Sequence, residues 1–127
     1  MLINDAATVH ELRELYPQYE IALVKNDVDT LMKMFWAAPE VMRFGASENL
    51  YGIAELEMFR KGRSSVGLAR TVKRLDVVAF GQDVGSITLE FERGAADGKV
   101  IHGRQSQMWV RMPEGWRIVA AHVSLLP

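Results

Sequence analysis

The sequence predicts an α+β domain: three helical segments in the first half, then a curved antiparallel sheet packed on them. Three observations carry this. Apolar residues recur at helical spacing up to about residue 60. From Arg70 onward four long runs are rich in β-branched and aromatic residues. The breaks between those runs are too short for anything but antiparallel neighbours.

The first helix is announced by Thr8 and Glu11, a T-x-x-E capping box that sets a start near Val9. Leu12, Leu15, Tyr16, Tyr19 and Leu23 then form its apolar face. Pro17 falls within this pattern, and by removing a backbone donor it predicts a kink or a split. Asn26-Asp27 ends the element and caps a second, short helix that presents Val28, Leu31, Met32 and Phe35. Val41–Phe44 reads as a short strand, Gly45 as a turn and 46–51 as a loop. A third helix follows from about Ile53 to Gly62, with Ile53, Leu56 and Phe59 buried.

The strand-like runs are Thr71–Phe80, Val84–Arg93, Lys99–Met112 and Trp116–Leu125. Gly81-Gln-Asp83, Asp97-Gly98 and Pro113-Glu-Gly115 supply turn chemistry between them. Four strongly twisted strands of this length curl around the helices and leave a pocket between sheet and helix.

With 127 residues the chain holds one domain, residues 1–127, without a repeat or linker. It contains no Cys, which excludes disulfide scaffolds, thiolate metal sites and cysteine nucleophiles. No signal-peptide pattern or membrane-length apolar run is present, so the expected compartment is the cytoplasm and no membrane partner is expected. The net charge of −1 argues against nucleic acid as an obligate partner. That average hides an asymmetry: residues 1–59 carry a net −6 and residues 60–127 a net +5. Arg60, Lys61, Arg63, Arg70, Lys73 and Arg74 form an acid-free run, read either as an anion attractor or as a solvated surface.

Phosphate-loop, zinc-helix and nucleophile-elbow motifs are absent. His10, His102 and His122 lack ligand spacing, so neither a metal nor another cofactor is expected. His122 reads either as a bonded core residue or as a neutral imidazole lining the pocket. In Gly103-Arg-Gln-Ser-Gln107, alternation turns either Gln105 and Gln107 or Arg104 and Ser106 inward. Arg43, between Met42 and Phe44, requires an anion if buried. Glu48, Glu90 and a substrate carboxylate are the candidates. Tyr19 is on the apolar helix face, where a bonded core hydroxyl is the ordinary reading.

The element order resembles the NTF2-like, SnoaL-like cone. More specific stretches are Tyr19-Glu20 with Asn26-Asp27, Phe35-Trp36, Arg43-Phe-Gly45, Glu48-Asn-Leu-Tyr-Gly52, Phe59-Arg60, Gly67-Leu-Ala-Arg70 and Glu90-Phe91. Gly103-Arg-Gln-Ser-Gln107 with Trp109, and Gly115-Trp-Arg-Ile-Val-Ala-Ala-His-Val-Ser124, are the most specific. Together they resemble the AtzH-like family (the former DUF3225 group) over nearly the whole chain. Pro17, and Met108 where Thr is more usual, depart from the pattern.

The resemblance implies a curved-sheet cone that dimerises through the sheet. It also implies a cofactor-free decarboxylating amidohydrolase acting on a carboxylated urea, ureide or oxalurate-like compound, with a functional link to an amidase. By position, Tyr19 and Arg43 are the implied catalytic pair. Chemistry is compatible: Arg43 would anchor a carboxylate and Tyr19 would move a proton. Arg70 would hold a second carboxylate, and Gln105, Gln107 and His122 would bond the urea core. A non-catalytic carboxylate-binding or amidase-partner protein uses the same residues. An acid–base isomerase would instead need a pocket carboxylate, for which Glu20 and Glu90 are candidates.

Overall fold

The computed structural model describes residues 1–127. Three helices, α1 (Ala6–Lys25), α2 (Val28–Met34) and α3 (Ile53–Lys61), pack against one curved six-stranded sheet. The strands are β1 (Met42–Phe44), β2 (Asn49–Tyr51), β3 (Thr71–Phe80), β4 (Val84–Gly94), β5 (Val100–Met112) and β6 (Gly115–Leu125). Their spatial order is β2-β1-β6-β5-β4-β3. The four long strands fall where residue chemistry places them, within a residue or two at their ends.

The sheet is mixed rather than wholly antiparallel. β1 runs parallel to β6, with Arg43 opposite Ala121, so the first strand seals against the last. The α3 crossover carries the chain from β2 at one edge to β3 at the other. The stretch 46–51, expected as loop, contains β2, which pairs antiparallel with β1. Register shifts at Val72/Arg74 and Met108/Trp109 accommodate extra residues, and such bulges increase local twist.

Two expectations for α1 are corrected. Its N-cap is Asp5, not Thr8. The Asp5 carboxylate accepts from the Thr8 backbone N–H at 3.2 Å and from its hydroxyl at 2.7 Å, so Thr8 is buried inside the first turn. Pro17 does not break the helix, which is continuous over 20 residues. Pro17 is exposed, and so is Arg13, the residue whose carbonyl a proline at 17 leaves without its helical partner. Asn26, in the left-handed conformation at φ 50°, closes α1, and the Asp27 carboxylate then caps α2.

Leu12, Tyr16, Tyr19 and Leu23 of α1 meet Ile87, Leu89, Phe91, Trp109 and Ile118 of the sheet in one core. Trp109 is wholly buried on the inner face. Trp116 is half-buried beneath the Arg111 guanidinium, 4.6 Å from its ring centroid, and bonds Glu11. No helix is long and apolar enough to cross a membrane.

Candidate functional site

A cavity of about 310 Å³ opens between the inner sheet face, α1 and the segment joining α3 to β3. Arg43, Arg63, Arg70 and Arg93 line it, and Glu48 is the one carboxylate in its wall. Gln105 completes the polar lining; Leu23, Phe91 and Val123 are among the apolar walls.

Arg43 comes from β1 and is buried on the inner face. Its Nη1 donates to Glu48 Oε1 at 2.9 Å, so of the internal anions weighed, Glu48 is the partner and Glu90 faces outward. Gly45 permits this pair, because a Cβ there would collide with the Glu48 carboxylate. Burial works against ionising Glu48, but bonds from Ser47 and Arg43 outweigh it and lower its pKa below the ordinary carboxylate value. Arg43 Nε is buried without a partner.

Arg70, just before β3, is held at the inner end of a second network. Its Nε and Nη2 donate to the two Glu20 oxygens at 2.8 and 2.9 Å, and Nη2 also donates to Gln105 Oε1 at 2.8 Å. Arg70 therefore lines the cavity with an internal carboxylate already on two of its nitrogens. Burial alone would lower its pKa, but the Glu20 carboxylate outweighs this and the net shift is upward. Its guanidinium stacks 4.3 Å from the Phe91 ring centroid. That ring lies flat on Gly103, where any Cβ would strike it. Gly103 thereby helps fix the Arg70 pose from the neighbouring strand.

The inward set on β5 is Gly103, Gln105, Gln107 and Trp109; Arg104, Ser106 and Met108 face out. Gln105 is bonded at both amide atoms: Oε1 accepts from Arg70, and Nε2 donates to the Tyr16 hydroxyl at 2.9 Å. Gln107 Oε1 accepts from the Trp109 indole at 3.0 Å, leaving a buried Nε2 without a partner. Gln107 does not reach the cavity wall.

Tyr19 is 2% exposed and lies behind the cavity rather than in its wall. It packs on Tyr16 and Phe35 at centroid distances of 5.7 and 6.2 Å. The hydroxyl woven into the polar network is that of Tyr16, which donates to Glu20 at 2.8 Å. Burial, reinforced by the Glu20 charge, pushes the Tyr16 pKa far up, so it stays a protonated donor. The sequence reading missed Tyr16 because its spacing marks it equally well as core.

His122 is not in the cavity. It is exposed on the opposite face of the sheet, beside Phe44 at 6.0 Å and across from Ser106, so its expected contact with a urea core is corrected. There it lines a shallow, mainly apolar groove with Met42, Phe44 and Met108. The basic run is divided as well: Arg63 and Arg70 line the cavity, Arg60 is buried, and Lys61, Lys73 and Arg74 are exposed. No group of three His, Asp or Glu side chains is placed to hold a metal ion.

The AtzH-like family model matches residues 1–127. A protein of unknown function from the DUF3225 family of Pectobacterium atrosepticum has 44% identity and a TM-score of 0.92, covering 98% of this chain and 95% of its own. A cystatin-like fold protein from Burkholderia xenovorans has 36% identity and a TM-score of 0.89, covering 100% and 99%. An NTF2-like superfamily protein from Salmonella enterica, 22% identical with a TM-score of 0.77 over 96% and 93%, shares the fold. No curated protein matches the chain.

Proposed function

The chain belongs to the AtzH-like family, and from that premise we propose that it is a cofactor-free decarboxylating amidohydrolase acting on a carboxylated urea, ureide or oxalurate-like compound. Its NTF2-like fold forms a pocket consistent with small-molecule binding. The observation that carries the reading is the lining of that pocket: four arginines against one carboxylate. Such a field selects an anion and holds it in a partly desolvated place.

Glu48 occupies only Nη1 of Arg43. The remaining edge of that guanidinium is the anchor for a substrate carboxylate, held bidentately. Arg63 and Arg93 make no ion pair in the protein and attract the other end of the molecule. Loss of an N-carboxylate breaks the N–C bond, leaves the electron pair on nitrogen and releases carbon dioxide. The nitrogen then needs one proton. Tyr19 is assigned that transfer by its position in the family pattern.

A second reading, a carboxylate-binding or amidase-partner protein without catalysis, draws support from Tyr19 being behind the cavity wall rather than in it. The two readings separate in a turnover assay on dicarboxylated urea with purified protein. Release of carbon dioxide above the uncatalysed rate, abolished in Arg43→Met, supports the hydrolase. Binding without turnover supports the second reading.

The outer groove of Met42, Phe44, Met108 and His122 belongs to the same proposal as the contact surface of a homodimer formed through the sheet. Met42 and Met108 are 42% and 49% exposed there, and a mating sheet would cover them. The expected compartment is the cytoplasm, and an amidase is the expected functional neighbour.

A further inference from the structure

Arg60 of α3 is 1% exposed, and neither Nη1 nor Nη2 has a hydrogen-bond partner. Two other arginines with enclosed side chains differ from it: Arg43 has Glu48 and Arg70 has Glu20. Arg60 has no carboxylate within ion-pair distance; Arg43 and Arg63 nearby carry the same sign, while Tyr19 and, more weakly, Glu48 favour its charge from farther off. Burial pushes its pKa down to about 10, with Arg43 and Arg63 adding to the effect, so it remains a cation at neutral pH. Buried charges in proteins are normally paired, because an isolated one forfeits its hydration.

The backbone that carries Arg60 is tied down. Asn26 Nδ2 donates to the carbonyls of both Arg60 and Arg63 at 2.8 Å, which ties the end of α3 to the end of α1. The Phe59 ring is shared by three guanidiniums, those of Arg43, Arg60 and Arg63, at 5.6, 5.7 and 5.0 Å from its centroid. Arg43 and Arg63 of that trio line the cavity, and Arg60 shares the Phe59 ring with them without entering the wall. Two further buried donors lack partners, Arg43 Nε and Gln107 Nε2. Both residues are opposite Ala121 in the sheet register.

We propose that Arg60 is a buried receptor for a small planar oxyanion of the carboxylate class, completed by the unpaired Nε of Arg43. This rests on the reading of the cavity as an anion site and adds the residue that takes the inner carboxylate. An anion entering past Arg43 and Arg63 supplies the countercharge that the fold withholds. The anion-free protein holds Arg60 at a cost to stability, and the ligand removes that cost.

Malonate serves as the probe, with sodium chloride at equal ionic strength as reference. Calorimetric binding and thermal melting are measured on the full chain, on Arg60→Met, on Arg43→Met and on the exposed control Lys61→Met. Malonate affinity falls about 10²-fold or more in Arg60→Met and is unchanged in Lys61→Met. Without malonate, Arg60→Met melts at or above the parent temperature, the opposite of what loss of a structural ion-pair residue produces. Retained malonate affinity in Arg60→Met, or a lower melting temperature without malonate, overturns the proposal. If Arg43→Met alone loses binding, the anion cavity survives and only the role of Arg60 falls; absence of malonate binding in the parent protein overturns both. Should Arg60→Met not fold, Arg60→Lys decides. It keeps the charge without the planar fork, and a loss of about tenfold or more in affinity supports the proposal, while parental affinity overturns it.

Discussion

The Gln105 amide donates to the Tyr16 hydroxyl at 2.9 Å, across 89 residues of sequence. That bond joins the middle of β5 to the middle of α1 and closes a network with Glu20 and Arg70. Both amide atoms of Gln105 are bonded there, so the network is a rigid floor for the cavity. Tyr16→Phe leaves Gln105 Nε2 without its acceptor and is expected to cost about 1–3 kcal/mol in urea unfolding. The same change at Tyr19, whose hydroxyl is outside this network, is expected to cost less.

Glu20→Gln tests the buried pair. Arg70 and Glu20 side chains are 6% and 19% exposed, so Arg70 loses a largely desolvated countercharge. Removing one partner of such a pair costs roughly 3 kcal/mol or more. Denaturant titration should show Glu20→Gln destabilised well beyond Lys61→Met, which loses only a solvent-exposed ion pair with Glu57.

Acid should weaken the Arg43–Glu48 pair. The folded pKa of Glu48 is below its ordinary 4.5. Its contribution to stability is therefore fully present above about pH 4.5 and is lost as pH falls through the folded value. Thermal melts of the parent protein and Glu48→Gln between pH 7 and pH 3 check this. The gap between them should narrow on the acid side; a gap that widens on acidification would contradict the assignment.

Arg43→Met and Tyr19→Phe divide anchoring from chemistry. Arg43→Met is expected to abolish small-dicarboxylate binding while the chain stays folded. Tyr19→Phe should leave binding and melting temperature nearly unchanged and cut turnover of a carboxylated urea by roughly 10²-fold or more. Full activity in Tyr19→Phe would remove that hydroxyl from the mechanism.

The outer groove predicts the assembly. Light scattering at micromolar concentration should give the mass of two chains, and Met108→Glu should shift it to one. A parent protein that runs as a single 14.3 kDa chain would count against the sheet-mediated dimer.

Much of the fold follows from local rules. Period-two alternation over β3 to β6, helical spacing in α1 and turn residues between strands are properties of neighbouring residues, and neighbours are what a sequence displays. Arg43 was legible as a buried cation because Met42 and Phe44 enclose it in the chain itself. The sequence did not disclose that β1 would lie parallel to β6, since that pairing is set by the path of the α3 crossover. It left two strand faces equivalent on β5, and only docking on α1 turned Gln105 and Gln107 inward and, across the sheet, His122 outward. Tyr16 and Tyr19 share one apolar stripe and look alike until the partners of each hydroxyl are known. Arg60 and Lys61 are adjacent cations in one basic run, yet one is buried and one is in water. A 100° turn of the helix separates them, and which side of α3 meets the core is decided by tertiary packing, not by the charge of either residue.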